Sequence, residues 1–169
     1  MSRTIVARPL TREAFAPFGD VIDKAAYPGR IPINGGRARR LPPMAEAVAV
    51  GEDARVLISL VEGDPYACPL RLDLVERHPL GSQAFVPLSP APFLVIVCPD
   101  EAGRPGTPRA FLTSPWQGVN YHRNTWHGVL TPLDQPQDFL VVDRGGSGVN
   151  LEEWRFDEPW TVTLEAVPG

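Results

Sequence analysis

Residues 69–78 read Pro69-Leu-Arg-Leu-Asp-Leu-Val-Glu-Arg-His78. In a strand, alternate residues share a face. Leu70, Leu72, Leu74, Glu76 and His78 fall on one face, with Arg71, Asp73 and Arg77 on the other. The even face is the one expected to be buried, and it ends in a carboxylate and an imidazole. A carboxylate in an apolar row costs several kcal/mol unless it is paired or metal-bound. Two readings follow: a polar site at the end of an inward strand face, or a strand that has already left the core.

The same texture recurs on both sides of this stretch. Short apolar runs occur at Arg55–Val61, Ala84–Leu88, Phe93–Val97, Ala110–Thr113, Trp126–Leu130, Phe139–Val142, Trp154–Phe156 and Thr161–Leu164. Pro, Gly or Asp bounds most of them. Short strands at such spacing predict an all-β sandwich or barrel. Before residue 54, Thr11–Phe18 reads as one or two helical turns with Thr11 as N-cap. Val21–Ile33 reads as loop, Asn34-Gly-Gly36 as a turn. Arg37, Arg39 and Arg40 form either a solvated face or an anion site. No repeat, low-complexity tract or linker is visible, so one domain is expected over residues 1–169.

Composition agrees. The 169 residues include 20 prolines and 15 glycines, which leave little room for long helices. Two cysteines cannot build a disulfide framework or a four-cysteine zinc site. Disorder is excluded by 43% hydrophobic against 21% charged residues. The net charge of −4 speaks against a nucleic-acid partner. Lys24 is the only lysine among 16 basic residues, a bias that fits anion recognition or codon usage. The N-terminus has no apolar leader, and the longest apolar run, Phe93–Cys98, is far below the roughly twenty residues of a membrane span. A cytoplasmic protein with reduced cysteines, acting on a small molecule and not at a membrane, is expected.

Three stretches carry candidate chemistry. In Glu76-Arg-His78-Pro-Leu-Gly-Ser-Gln83, Gly81-Ser82 can turn the chain back and bring Gln83 opposite His78. One imidazole and two oxygen donors suit a divalent transition ion better than calcium. Gly118-Val-Asn-Tyr-His122-Arg-Asn-Thr-Trp-His127 holds the other two of the three histidines. His127 shares parity with Val129, which suggests an inward face. Asn120, Tyr121 and His122 can bind a polar ligand or satisfy a turn. Asp138-Phe-Leu-Val-Val-Asp143-Arg144-Gly-Gly reads as a buried strand ending in an Asp–Arg pair. Arg144 either grips a substrate carboxylate or makes a structural ion pair. Tyr66, Cys68 and Cys98 read as core or turn residues. No phosphate-binding loop, dinucleotide fingerprint or GxSxG elbow is present, so no nucleotide cofactor is expected.

The strings Ala14-Phe-Ala-Pro-Phe-Gly-Asp-Val-Ile22, Glu76-Arg-His-Pro-Leu-Gly-Ser-Gln-Ala-Phe85, Arg109-Ala-Phe-Leu-Thr113, Gln117-Gly-Val-Asn-Tyr-His-Arg-Asn-Thr-Trp-His127 and Asp138-Phe-Leu-Val-Val-Asp-Arg-Gly-Gly146 resemble the ureidoglycolate lyase family, in order, from about residue 5 to 150. The resemblance implies a cupin, a small jelly-roll barrel, here with a few short helices. The usual cupin motif is His-x-His-x4-Glu plus a later His. In this chain Glu76, His78 and Gln83 take the first three places and His127 the fourth. The resemblance further implies a homodimer with a divalent metal (nickel, or else zinc or manganese) and cleavage of ureidoglycolate to glyoxylate and urea during allantoin use. On that reading Glu76, His78, Gln83 and His127 cradle metal or substrate, and His122, Tyr121 or His127 moves protons. Asn120 and Arg144 join Glu76 and Gln83 in binding substrate. The alternatives are an amidohydrolase releasing ammonia and carbon dioxide, another cupin isomerase or dioxygenase, and a non-catalytic cupin that binds a small acid.

Overall fold

Two mainly antiparallel sheets face each other in the computed structural model, which describes residues 3–165; in the larger one Thr4–Val6 and Arg8–Pro9 pair parallel to their neighbours. The expected domain over 1–169 reaches past these residues at both ends, where Met1, Ser2 and 166–169 lie outside the described part. The first sheet has eight strands. Its path runs Thr4–Val6, Glu152–Thr163, Leu70–Arg77, Trp126–His127, Phe93–Cys98, Arg109–Leu112, Arg8–Pro9, and Thr131–Pro132 also pairs with Phe93–Cys98. The second has five, in the order Gly19–Ile22, Gly118–Tyr121, Gln83–Pro87, Gln137–Gly145, Arg55–Gly63. Together they make a nearly closed jelly-roll barrel of the cupin type. One α-helix, Arg12–Phe15, starts at Thr11, whose hydroxyl accepts from the Ala14 N–H, and it delivers Phe15 to the core.

Between the sheets lies one apolar cluster. Phe93, Val95, Val97 and Phe111 from the first sheet meet Phe85, Val119, Tyr121, Phe139 and Val141 from the second. Alternation explains the second cluster, on the other face of the eight-stranded sheet. Leu94, Ile96 and Cys98 pack there with Leu72, Val75, Trp126 and Val162. The run Phe93–Cys98 is therefore buried on both faces, which is why it reads as an unbroken apolar stretch.

Several expectations need correction. Gly81-Ser82 does not close a hairpin, because Leu70–Arg77 and Gln83–Pro87 lie in different sheets. The segment between them is a corner. Gly81 is required there, since a Cβ would sit 2.6 Å from the Arg144 Cβ and 3.1 Å from the Val48 carbonyl oxygen. Leu70 and Leu72 pack in the second cluster with Val75, not beside Glu76. Alternation breaks between Leu72 and Val75, opposite the bulge in Glu152–Thr163. That last element is one strand of twelve residues where two short ones were expected. The strand at Trp126 ends at His127, and Val129 is 41% exposed. The 21–33 stretch, expected as loop, contributes to Gly19–Ile22 and to the hairpin Ile31–Ile33/Ala38–Arg40. Among the described residues no helix is long and apolar enough to cross a membrane.

Candidate metal centre

Glu76 and His127 are cross-strand partners in the first sheet, and Val97 lies beyond His127 on the same face. His78 follows two residues after Glu76, as the strand gives way to the corner. Ligand atoms of Glu76, His78 and His127 all lie within 4.8 Å of one another. His78 Nε2 is 3.7 Å from Glu76 Oε1, and the two imidazole centroids are 5.2 Å apart. Tyr121 enters from the opposite wall and stacks on His127 at 4.1 Å and 8°. Gln83 pairs with Tyr121 across the second sheet.

Backbone carbonyls set both imidazole tautomers. His78 Nδ1 donates to the Asn150 carbonyl at 2.8 Å, and His127 Nδ1 donates to the Gly128 carbonyl at 2.9 Å. A carbonyl only accepts, so each ring carries its proton on Nδ1 and turns a lone pair on Nε2 toward Glu76. Those two Nε2 atoms and Gln83 Oε1 are buried without a hydrogen-bond partner. Leaving such atoms unpaired costs on the order of 1–3 kcal/mol each. Two unpaired imidazole nitrogens beside a carboxylate could hold a metal ion, with ring orientation fixed from behind.

The charges are tuned consistently. Burial pulls the His127 pKa from 6.5 to about 4, against the pull of the Gly128 carbonyl and Glu76. Burial also works to lower His78, but the Glu76 carboxylate, the Asn150 carbonyl and Gln83 outweigh it and raise that pKa. Glu76 is held below the ordinary carboxylate value, chiefly by the His78 imidazole 3.7 Å away, with His127 adding to the effect against burial. Burial drives the Tyr121 phenol well above its usual range, and the Glu76 charge adds to this.

The remaining candidates are placed elsewhere. Asn120 is next to Tyr121 in its strand and therefore faces the other way, donating to Asp20 Oδ2 at 3.0 Å. His122 is half-exposed and pairs with the same carboxylate at 3.1 Å. Arg144 faces out of the barrel. It donates to the carbonyls of Val50 at 2.7 Å, Ser147 at 2.7 Å and Glu52 at 3.3 Å. It ties down the 50–52 and 147 loops, and among the described residues it makes no ion pair with Asp143. Adjacent strand residues point to opposite faces, so the expected Asp–Arg pair cannot form. Cys98 lies in the core, and burial pushes its thiol up to about 12, which leaves it inert. Asn150 and Gly128 were missed as supports of the histidines, since backbone acceptors leave no trace in residue type.

The geometry can be set beside known proteins. The family model described as ureidoglycolate lyase matches residues 2–163. A ureidoglycolate lyase of Chelativorans sp. is 62% identical, over 96% of this chain and 98% of the relative. One of Mesorhizobium japonicum is 63% identical over 95% and 98%, and ureidoglycolate lyase 2 of Rhizobium meliloti is 55% identical over 92% and 94%.

Proposed function

The chain belongs to the ureidoglycolate lyase family, and from that premise we infer that it cleaves ureidoglycolate to glyoxylate and urea. Glu76, His78, Gln83 and His127 would hold a divalent transition metal, nickel first. The observation that supports this is the clustering of two buried, unpaired imidazole nitrogens with the Glu76 carboxylate. When bound, such an ion would lower the pKa of the substrate hydroxyl.

The reaction needs one proton removed and one supplied. Ureidoglycolate is a carbinolamine. Its hydroxyl loses a proton, the carbonyl of glyoxylate forms, and the C–N bond breaks toward nitrogen, which takes up a proton as urea. Glu76, besides being able to hold the ion, would accept the hydroxyl proton. Tyr121, protonated at every working pH because burial raises its pKa, donates to the departing nitrogen. It takes this part over His122, whose ring is occupied outside the barrel with Asp20.

A cytoplasmic location is the reading that the two free cysteines, Cys68 and Cys98, support. A homodimer is supported by an uncovered apolar sheet face. Ile58, 74% exposed, lies opposite Val142, and Leu60, 68% exposed, lies opposite Leu140. Sedimentation of wild type and Ile58→Lys tests that assembly.

The deciding assay follows glyoxylate, urea and ammonia from racemic ureidoglycolate, with and without chelator. Urea without ammonia supports the lyase; ammonia without urea supports the amidohydrolase. Folded His78→Ala and His127→Ala variants with wild-type kcat/KM and wild-type nickel affinity would overturn the cradle.

A further inference from the structure

Asp143 lies two residues past Val141 and four past Phe139, both buried between the sheets. Alternation along Gln137–Gly145 carries it to the same inward face. There it meets Gln83, whose Nε2 donates to Asp143 Oδ2 at 3.5 Å. Among the described residues the Asp143 carboxylate has no ion pair. The other end of the same amide, Gln83 Oε1, is buried and unpaired.

A glutamine amide has two ends of nearly equal shape and opposite chemistry. Only the oxygen can ligate a cation; the NH2 end repels one. An ionised carboxylate only accepts, so it can bind only the nitrogen end. We propose that Asp143 is a positioning residue, which holds the nitrogen of Gln83 so that its oxygen faces Glu76, His78 and His127. The inference rests on the cradle reading above, in which Gln83 is a donor. It also explains how a neutral amide stands in a place where a carboxylate would be self-orienting: the negative charge sits one bond network further out and sets direction without adding charge at the centre.

The test uses Asp143→Leu, Asp143→Asn, Gln83→Leu and the Asp143→Leu/Gln83→Leu double variant. Nickel affinity is read by calorimetry, kcat/KM by urea release, and the Gln83 side-chain amide by nitrogen-15 NMR, assigned by its loss in Gln83→Leu. Asp143→Leu is expected to weaken nickel binding about 10–100-fold, the range for residues that orient a ligand. Asp143→Asn, whose carbonyl still accepts, should recover most of that loss. The double variant should be no worse than Gln83→Leu alone. Full additivity, or an unmoved Gln83 amide resonance in Asp143→Leu, overturns the proposal. If the wild type binds no nickel but the amide resonance and the kcat/KM cycle behave as expected, the metal reading falls and the orienting role of Asp143 stands.

Discussion

His127 should set an acid limit on the metal-free fold. Its ring is 2% exposed, and burial lowers its pKa to about 4. In the unfolded chain it titrates near the ordinary value of about 6.5. Between those values the unfolded chain takes up a proton that the folded one refuses. Stability is therefore full above pH about 6.5 and is lost as pH falls toward 4. At about 1.4 kcal/mol per pKa unit the loss comes to about 3 kcal/mol. The neighbours do not mask it. His78 is raised, so its stabilisation is present below about 6.5 and disappears only as pH rises through its folded pKa. Glu76 is lowered, so its stabilisation starts to be lost only near the unfolded value of 4.5. The assay is urea unfolding in chelator, at pH about 7 and about 4, of wild type and His127→Gln. The variant should lose about 3 kcal/mol less over that interval. Parallel losses in the two proteins would refute the burial argument.

Gly118→Ala would place a Cβ 2.5 Å from the Phe85 carbonyl oxygen and 3.1 Å from the Val86 Cα, against backbone that cannot yield without parting two strands. It should cost about 1–3 kcal/mol, seen as a fall in Tm of about 2–4 °C per kcal/mol. Arg144→Met leaves the Val50, Glu52 and Ser147 carbonyls without their charged donor. About 2 kcal/mol or more should be lost in denaturant, while KM for ureidoglycolate stays within about threefold. A large KM rise with full stability would return Arg144 to the substrate. Tyr121→Phe should lose about 10²–10⁴-fold in kcat and His122→Ala less than about tenfold, measured by urea release. The reverse ranking would move the proton donor outside the barrel.

The barrel was legible where strands are buried on one face or bounded by turn residues. Arg55–Gly63 and Gln137–Gly145 were both found, with their ends short by a few residues. Gly118–Tyr121 was not read as a strand, because it is buried on both sides and Asn120 breaks the alternation. Its outer side is covered by the segment at Glu46, whose carbonyl accepts from Asn120. The split reading of Glu152–Thr163 came from Asp157-Glu158-Pro159, which sits in the bulge and not at a strand end. Glu76, His78 and His127, which the structure brings together, were singled out by the scarcity of histidine and by the family strings; the parity argument does not hold, since Leu70 and Leu72 pack on the other face and Val129 is exposed. Gln83 was expected opposite His78 across a hairpin, whereas it arrives from the opposite sheet. Asn120/Tyr121 and Asp143/Arg144 show what was missed. Two neighbours in a strand face opposite ways, so Asn120 and Tyr121 do not both face the interior, and Arg144 was singled out where Asp143 has the inward place. The inward member follows from Val119 in one strand and Val141 in the other.

The corner between His78 and Gln83 has a thermodynamic consequence. Five residues apart in sequence, these side chains reach the centre from different sheets. An unfolded or half-assembled chain cannot offer that donor set. An ion held by Glu76, His78 and His127 from one wall and Gln83 from the other would act as a non-covalent crosslink closing the barrel. At a hundredfold excess over its dissociation constant it would add about 2.7 kcal/mol to folding. Tm would then rise with the logarithm of ion concentration, and the cell's metal supply would set how long the protein lasts as well as how fast it works.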